Sequence, residues 1–423
     1  MRRSRRLLWT ASEAPRLAAD MTHRRRDFLK TALLAPASAL LDAADYAADP
    51  AAVIRKVEAI PARVTYRNTF VIGRGLVATG GQTGQYVYVR VEAAGGRVGW
   101  GETIALPSWS YETTESIVST VEKHLAPIVI GRSAFDQAYF FKQFDEVLTP
   151  AVSQGFPFAK AAVQVATLDL AGRIAGLPMH RFFGGKLRDK IDLTFALSID
   201  EPAHMAESAR AFPTVKCFKV KVAGDPVVDA ARVHAVAKAR PDADLWIDAN
   251  QSYRPVHLES FLQRIAGTEQ VRCLEQPVKS VDGLGLKRAR SRSAIPIAVD
   301  EGCFSSYDVA RLARMEACDL VVLKIAKSAG AWGCQRSAIV AEANGLGLLG
   351  SGLTEAGIGL AASIHLYSTQ ELVLPPELNG PKFLDNLFVD GLVIHDNTVT
   401  VPDEPGLGVQ VREAEIRSRA IRL

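Results

Sequence analysis

Short apolar segments recur along the second half of the chain at nearly constant spacing. Their centres lie about 24 to 28 residues apart, and alanine-rich stretches with helical periodicity separate them. A strand, a helix and two short loops need about that many residues, so the pattern predicts repeated strand–helix units. The runs are continuously apolar, which is typical of parallel strands buried on both faces. They are residues 191–197, 218–222, 245–248, 272–275, 295–300, 320–325, 346–350 and 371–374.

Eight units of this kind close into a barrel, so the pattern predicts an α/β fold with a TIM-like (β/α) barrel over residues 188–375. Residues 53–185 show alternating strand segments followed by helical ones, which predicts an α+β domain ahead of the barrel. Its predicted elements are residues 53–64, 85–93, 97–102, 115–128 and 160–175. Residues 376–423 hold two further strand-like runs, 393–401 and 409–414, and we expect this tail to return to the first domain.

Composition adds mainly exclusions to this picture. The chain has 423 residues, is 48% hydrophobic and 23% charged, and carries a formal net charge of +4. Basic residues within the first 30 positions account for more than that excess, so the folded part has no basic surplus for binding a nucleic acid. No apolar stretch reaches the roughly 18 residues of a membrane span.

The N-terminus carries a targeting pattern. Residues 25–30 read R-R-D-F-L-K, a twin-arginine export motif, and a short apolar run and an alanine-rich stretch follow it. We interpret residues 1–50 as a leader, which makes the twin-arginine export machinery a partner and predicts a periplasmic protein. A basic amphipathic helix is the alternative. Met1 and Met21 both stay open as the start, and the cleavage position is open as well.

Cysteine usage points away from disulfides and zinc. The five cysteines are an odd number, and no two of them form a C-x-x-C pair. Reduced cysteines and a metal loaded in the cytoplasm would fit an export route that carries folded proteins.

Charged side chains end five consecutive runs of the repeat. They are Lys221, Asp248, Glu275, Asp300 and Lys324, at intervals of 27, 27, 25 and 24 residues. In a βα barrel, groups at the carboxyl ends of the strands face one common mouth, where catalysis takes place. Salt bridges along the rim are the alternative, but such pairs need not be in phase with every strand. The phase therefore favours a catalytic site.

Three carboxylates that converge on one point repel one another unless a cation separates them. Oxygen ligands without His or Cys favour Mg²⁺, with Mn²⁺ also suitable, over zinc. Lys219 is two residues from Lys221, so both point into the barrel. We expect the neighbouring charges to lower the pKa of Lys221, as a general base requires. A lysine would then remove the α-proton of a small carboxylate substrate, and the cation and the opposite ammonium would stabilise the enolate.

At these residues the chain resembles the enolase superfamily, in the muconate-lactonizing-enzyme-like subgroup of the mandelate racemase/muconate lactonizing enzyme family. The resemblance covers residues 53–415. The matching segments read FKVKV (218–222), WIDAN (246–250), LEQP (274–277), IAVDE (297–301), LK (323–324), GSGLTEAGIGLAAS (350–363) and GWGE (99–102). One departure is Gly302, where Ser often follows Asp-Glu in the family.

The resemblance implies a modified (β/α)7β barrel with an N-terminal capping domain, and a homo-oligomer, either dimer or octamer. The implied metal ligands are Asp248, Glu275 and Asp300, and the implied acid/base pair is Lys221 and Lys324. The other candidates are Lys219, which would lie near the substrate carboxylate, and Asn250, Gln276, Glu301, Thr354, Glu355, Trp109 and Tyr111, which would bind substrate or support the site.

Two loops of the first domain are the expected source of specificity, because the resemblance places substrate-covering loops there. In residues 67–85 a glycine-rich stretch at 80–84 predicts a lid, with a plain turn as the alternative. Residues 107–111 contain the two aromatic candidates. A mandelate-racemase-like enzyme would carry a His on the seventh strand. None occurs there, and we interpret His365 in the following helix as structural.

Several functions share the predicted enolate. An isomerase would complete the reaction by cycloisomerisation or by racemisation or epimerisation, whereas a lyase would eliminate water. The sequence leaves these open, and cycloisomerisation comes first because the subgroup is named for it. The competing hypothesis is a periplasmic binding protein without turnover. A two-zinc hydrolase is excluded because no H-x-H occurs and no His ends a strand.

Overall fold

The computed structural model describes residues 49–151 and 153–423. The twin-arginine motif at residues 25–30 and the apolar run after it lie outside these residues, so the leader stays a prediction. None of the helices in the described ranges is long and apolar enough to cross a membrane. Residues Pro50–Leu423 pack as one unit.

The first domain is built on an antiparallel sheet. Its strands are β1 (Ile54–Thr65), β2 (Phe70–Ile72), β3 (Gly75–Ala78), β4 (Thr83–Ala93) and β5 (Val98–Ala105). The long strand β4 lies between β1 and β5, while β2 and β3 form a separate hairpin. The predicted turn between β4 and β5 is present, and Gly96 there has a φ of 78°, which a glycine adopts without strain.

Four helices follow this sheet in the sequence: α1 (Thr114–Thr120), α2 (Ala126–Val129), α3 (Gln137–Val147) and α4 (Pro157–Ala175). The single helix predicted at 115–128 is interrupted by a π-helical turn, Val121–Leu125. Helix α4 lies directly against β5, where Gly99 and Gly101 have no side chain. A Cβ atom on Gly101 would stand 1.9 Å from the carbonyl oxygen of Ala162. The two glycines of the GWGE motif therefore allow the helix and the sheet to touch through their backbones.

Seven parallel strands form the barrel sheet in sequence order, and the predicted fold class is confirmed. After β6 (Lys190–Asp192), which pairs elsewhere, the barrel strands are β7 (Phe195–Leu197), β8 (Cys217–Lys221), β9 (Asp244–Asp248), β10 (Val271–Glu275), β11 (Ile297–Val299), β12 (Leu320–Leu323) and β13 (Gly347–Gly350). The helices that follow them are α5 (Pro202–Arg210), α6 (Pro226–Ala239), α7 (Pro255–Ile265), α8 (Gly283–Arg292), α9 (Ser306–Arg314), α10 (Ala331–Ala343) and α11 (Gly357–Tyr367).

The eighth run, residues 371–374, was predicted as a strand but forms no ladder. Only isolated parallel bridges join it to its neighbours: Leu372 to Leu348 of β13, and Glu377 to both Ser351 and Thr194. Pro375 and Pro376 interrupt the segment and carry no N–H to donate. The segment still closes the barrel, because its bridges reach β13 on one side and the residue before β7 on the other.

Inward-pointing side chains of the barrel form two layers. The lower layer is apolar and consists of Cys217, Trp246, Cys273, Ala298, Leu320, Val322, Leu349 and Leu374. Two residues further along each strand the side chain points inward again, because the strand period is two. That upper layer contains Lys219, Lys221, Asp248, Glu275, Asp300, Lys324 and Ser351. The charged groups thus stand on an apolar floor at the carboxyl ends of the strands.

The tail contacts both domains. After α12 (Gly380–Phe383) come β14 (Val389–Asp390), β15 (Ile394–His395), β16 (Thr398–Thr400), β17 (Gln410–Val411) and α13 (Glu413–Ser418). Strand β16 pairs with β6, and Ala420 bridges to Ala62 of β1. The strand predicted at 409–414 was wrong beyond Val411, because Glu413 begins a helix whose Arg417 pairs with Glu58 on β1.

Candidate active site

Strand register brings the predicted site residues together. Lys221 lies directly opposite Asp248 on the neighbouring strand, and Asp248 lies opposite Glu275 on the next one. Glu275 in turn pairs with Ala298, and Asp300 follows two residues later on the same face. One layer of side chains therefore carries these residues from β8 to the end of β11, as the sequence interval predicted.

The two predicted acid/base lysines enter this layer from opposite sides. Lys221 Nζ lies 2.5 Å from Asp248 Oδ2, and Lys324 Nζ lies 2.6 Å from Asp300 Oδ2. Both lysines are buried. Burial alone would lower the pKa of Lys324, but Asp300 reverses this effect and raises it above its ordinary value. Glu275 lies on the strand between the two pairs.

Lys219 is the most buried of the three predicted lysines. Its Nζ atom lies 3.1 Å from Asp248 Oδ2 and 3.0 Å from both Glu275 Oε2 and Glu377 Oε2. The ammonium also stands 4.3 Å from the ring centre of Trp246 in the apolar layer below. Burial opposes the charge, yet the three carboxylates raise the pKa of Lys219 well above its ordinary value. Lys219 is therefore a fixed cation.

The carboxylates differ in how well they are neutralised. Burial would raise the pKa of Asp248 and Asp300, but the adjacent lysines hold both below their ordinary value. Burial and then Asp248 raise the pKa of Glu275 well above its ordinary value, with Lys219 acting against them. Glu275 Oε2 accepts no hydrogen bond, although Lys219 Nζ is close to it. Among Asp248, Glu275 and Asp300, only Glu275 therefore has a carboxylate oxygen that accepts no hydrogen bond.

The donor set fits a hard divalent cation. Over residues 49–151 and 153–423, no group of three or more His, Cys, Asp or Glu side chains is arranged to hold a metal ion. The predicted acid/base lysines lie against two of the three carboxylates, Asp248 and Asp300. The Glu275 Oε2 atom, which accepts no hydrogen bond, and the absence of His from the charged layer suit Mg²⁺ or Mn²⁺. Six buried carboxylates face four buried lysines, which leaves two carboxylates in excess. The lysines are Lys219, Lys221, Lys324 and Lys327, and the carboxylates are Asp248, Glu275, Asp300, Glu301, Glu355 and Glu377.

Three candidates that follow the strands hold the loops in place. Gln276 Oε1 accepts hydrogen bonds from the N–H groups of Asp300 and Gly302, both at 3.0 Å. Asn250 donates to Glu301 at 3.2 Å and accepts from Lys221 Nζ at 3.3 Å. Asn250 and Gln276 have positive φ angles of 40° and 37°, a strained conformation that clusters at functional sites.

The seventh barrel loop, which joins β13 to α11, is held by the capping domain. Glu102 accepts hydrogen bonds from the N–H groups of Ala356, Ile358 and Gly359 at the start of α11. The Tyr86 hydroxyl donates to the carbonyl of Thr354 at 2.7 Å. Glu355, between these contacts, is buried and accepts from the N–H of Leu353, and burial raises its pKa. Glu355 also interacts electrostatically with Lys324 and Glu377, so it lies in the charged mouth, whereas Thr354 contributes through its backbone.

The two aromatic candidates have different positions. Trp109 is buried, and its ring centre lies 4.6 Å from Lys324 Nζ. Tyr111 is 45% exposed, and both its hydroxyl, which accepts from the N–H of Phe156, and its ring contact this residue of the capping domain. The structure therefore brings Trp109 to the site and leaves Tyr111 at the surface.

Within the predicted loop, residues 67–85, the part that approaches the barrel is not the glycine-rich stretch. Gly80 packs on Arg67 and Asn68, and Gly84 packs on Tyr66, so the glycine-rich stretch is a plain turn within the capping domain. The β2–β3 hairpin approaches the barrel instead. A Cβ atom on Gly73 at its tip would stand 2.4 Å from the carbonyl oxygen of Ala249. The Phe70 ring lies 5.8 Å from Lys221 Nζ.

Three residues of the site were missed. Glu377 belongs to the irregular eighth segment. Lys327 Nζ donates to Asp300 Oδ1 at 2.7 Å and to its carbonyl at 2.8 Å. Phe304 places its ring 5.8 Å from that of Trp109. A second lysine three residues after Lys324 was the available signal for Lys327; Glu377 and Phe304 follow no periodic element.

The fold and this charged mouth define a barrel enzyme with opposed lysines and clustered carboxylates. Residues 203–415 match the family described as enolase C-terminal domain-like, and residues 61–184 match the mandelate racemase / muconate lactonizing enzyme N-terminal domain. The chain therefore belongs to the enolase superfamily, in its muconate-lactonizing-enzyme-like subgroup, and it is an enzyme. Enzymes of this superfamily use Mg²⁺.

Relatives with three reactions resemble the chain. The L-Ala-D/L-Glu epimerase of Clostridium acetobutylicum is 30% identical over 77% of this chain and 90% of its own length. Muconate cycloisomerase 1 of Pseudomonas putida is 31% identical over 81% of this chain and 92% of its own length. The crystal structure of N-succinyl Arg/Lys racemase from Bacillus cereus has a TM-score of 0.82 at 25% identity, and covers 88% of this chain and 98% of that one.

Proposed function

We propose that Asp248, Glu275 and Asp300 hold a divalent cation, Mg²⁺ or alternatively Mn²⁺, and that the enzyme removes the α-proton of a small carboxylate beside it. The observation that carries this proposal is the pairing of Lys221 with Asp248 and of Lys324 with Asp300, on the two sides of Glu275. A cation held there would neutralise charge that develops on the substrate carboxylate as the proton leaves.

Each lysine has a distinct role in this proposal. Lys221 and Lys324 approach the substrate from opposite faces, so that one removes a proton and the other can return one. Lys219 keeps its charge and orients the substrate carboxylate from the barrel floor. The apolar ring of Trp109 beside Lys324, and that of Phe70 beside Lys221, exclude water from the two faces.

Two reactions that pass through this enolate are the leading candidates. Cycloisomerisation, in which a second carboxylate adds to a C=C bond to form the enolate and a lysine then donates a proton to the α-carbon, is supported by the similarity to muconate cycloisomerase 1. Racemisation or epimerisation is supported by the matching contacts of the two lysines, at 2.5 and 2.6 Å from their carboxylates, because a two-base reaction needs both faces. Elimination of water by the same lysines is a third outcome and would make the enzyme a lyase.

A deuterium-exchange experiment separates these outcomes. The protein, loaded with Mg²⁺, is incubated in D₂O with muconates, dipeptides such as Ala-Glu, N-succinyl amino acids and hydroxy acids. Exchange at the α-carbon with inversion identifies a racemase or epimerase, lactone formation identifies a cycloisomerase, and loss of hydroxide identifies a dehydratase. Mg²⁺-dependent binding without exchange or product in any of these classes would contradict the proposal and favour a binding protein.

We further propose that the protein reaches the periplasm by the twin-arginine route and assembles as a homo-oligomer, a dimer or an octamer. The motif at residues 25–30 supports export. Replacing Arg25 and Arg26 with Lys should keep the protein in the cytoplasm on fractionation, and periplasmic recovery of this variant would contradict the route.

Sedimentation of the purified protein gives its assembly state, and a monomer would contradict the proposed homo-oligomer.

A further inference from the structure

Glu377 is a buried carboxylate to which the proposed function gives no role. It stands where an eighth strand would end, and its backbone bridges to Ser351 and Thr194. Its Oε2 atom accepts hydrogen bonds from Lys219 Nζ at 3.0 Å and from Ser351 Oγ at 2.5 Å. Its Oε1 atom accepts from Asn379 Nδ2 at 2.5 Å. Both oxygens are therefore fixed, and one of them points at the Lys219 ammonium.

Lys219 has three carboxylate partners, which differ in kind. Asp248 and Glu275 are proposed cation ligands, and Glu377 is not. The ring of Trp246 closes the side of the barrel floor, so the ammonium cannot retreat downward. If Asp248 and Glu275 are to bind a cation, the Lys219 ammonium has to be held elsewhere, since it otherwise covers the same oxygens. Glu377 is the acceptor that stays available for it.

We propose that Glu377 is a positioning residue that draws the Lys219 ammonium toward the eighth segment and so frees Asp248 and Glu275 to bind a divalent cation. Without the Glu377 charge, Lys219 stays on those two carboxylates and competes with the cation. The inference rests on the proposed function for the location of the cation site. Its test uses Mn²⁺ alone and needs no substrate, so it can be read without knowing the reaction.

The first measurement is the Mn²⁺ dissociation constant of the full-length protein and of variants, by electron paramagnetic resonance of free Mn²⁺. Glu377→Gln keeps the shape and removes the charge, and we expect its Mn²⁺ binding to weaken by about tenfold, a usual size for coupled neighbours. Glu377→Asp restores the charge and should recover most of this loss. Glu371→Gln, in the same segment but exposed, is the matched control and should bind like wild type.

The same measurement in a protein that lacks Lys219 distinguishes positioning of the Lys219 ammonium from a direct effect of the Glu377 charge on the cation. In a Lys219→Met protein no ammonium competes for the oxygens, so we expect Glu377→Gln to weaken Mn²⁺ binding there by less than about threefold. A tenfold loss in both backgrounds would show that Glu377 acts on the cation by its charge alone and would overturn the proposal. So would wild-type binding in Glu377→Gln. Should this variant not fold, Ser351→Ala, which removes the other donor to Glu377 Oε2, is compared in the same two backgrounds, and an equal effect in both would be the contrary result.

The outcomes also distinguish this inference from the proposed function. If wild type binds Mn²⁺ and the variants behave as expected, but no carboxylate exchanges its α-proton, the positioning role stands and the proposed reaction fails. If exchange occurs and the two backgrounds respond alike, the reaction stands and the role of Glu377 is wrong. If wild type binds no Mn²⁺, both are wrong.

Discussion

Lys221 Nζ lies 2.5 Å from the Oδ2 atom of Asp248, its direct neighbour across two parallel strands. The same contact recurs on the other side of the barrel mouth between Lys324 and Asp300. Two amines thus approach one group of carboxylates from opposite strands. This arrangement is what a reaction needs if it removes a proton on one face of a carbon and can return one on the other.

Replacement of either lysine by Met should lower turnover by a factor of about 10²–10⁴, the usual contribution of a general acid or base. If the enzyme racemises or epimerises its substrate, Lys221→Met should still exchange the α-proton of one stereoisomer, and Lys324→Met that of the other. NMR in D₂O measures both exchanges.

The control for these variants is Lys216→Met. Lys216 lies next to β8 at the end away from the mouth, is exposed and pairs with Asp192, so its loss should leave turnover unchanged. Loss of exchange from both stereoisomers in each single variant would contradict the assignment of one base to each face.

Cation binding should be visible as thermal stabilisation. A ligand that binds only the folded state adds about 2.7 kcal/mol when its concentration is 100 times its dissociation constant. We therefore expect Mg²⁺ to raise Tm by several degrees and EDTA to reverse the rise. Glu275→Gln should abolish the shift, because it removes the charge of the proposed ligand whose Oε2 atom accepts no hydrogen bond. Glu404→Gln, at an exposed position, should keep it. A full shift in Glu275→Gln would locate the cation elsewhere.

The charged layer could be predicted from sequence because two regular quantities set it. Strand period fixes which side chains point inward, and nearly constant unit length brings successive strand ends to one mouth. Lys221, Asp248 and Glu275 are direct neighbours across the strands for this reason. The floor follows from the same period, since Trp246 stands two residues before Asp248.

Residues outside that regularity could not be predicted. Glu377 follows two prolines in a segment that forms no ladder, so no strand phase exists from which to place its side chain. Trp109 and Tyr111 lie two residues apart in one loop, yet only Trp109 reaches the site. Loop conformation depends on long-range contacts, here the packing of Trp109 on Phe158 and Phe304, which local sequence does not encode.

The capping domain holds the seventh barrel loop through Tyr86, and this contact has a matched control two residues away. Tyr86 and Tyr88 are both fully buried on β4. The Tyr86 hydroxyl donates to the Thr354 carbonyl at 2.7 Å, whereas the Tyr88 hydroxyl has no hydrogen-bond partner. Tyr86→Phe should therefore lower the free energy of unfolding by about 1–2 kcal/mol, and Tyr88→Phe should leave it unchanged or raise it.

Urea unfolding followed by circular dichroism measures both variants. Because Glu355 follows Thr354, Tyr86→Phe should also raise KM more than Tyr88→Phe does. Equal destabilisation by the two substitutions would show that ring packing, and not the hydrogen bond between the domains, determines the effect.

His365 should make the protein less stable in mild acid. Its ring is fully buried and stacks on that of His180, with 5.5 Å between the ring centres. Burial lowers the pKa of His365 from 6.5 to about 4 in the folded protein. Between these values the unfolded chain binds more protons, so this contribution to stability is complete above pH 6.5 and is lost as the pH falls toward 4.

The size of this loss follows from the pKa difference and reaches about 3 kcal/mol at pH 4. His365→Leu removes the titrating ring, so the difference in unfolding free energy between wild type and this variant should shrink or change sign as the pH falls from 7 to 5. His395→Gln, whose side chain is 90% exposed, should follow the wild-type profile. Parallel profiles for wild type and His365→Leu would mean that other groups, such as His180 beside Asp403, cause the acid sensitivity.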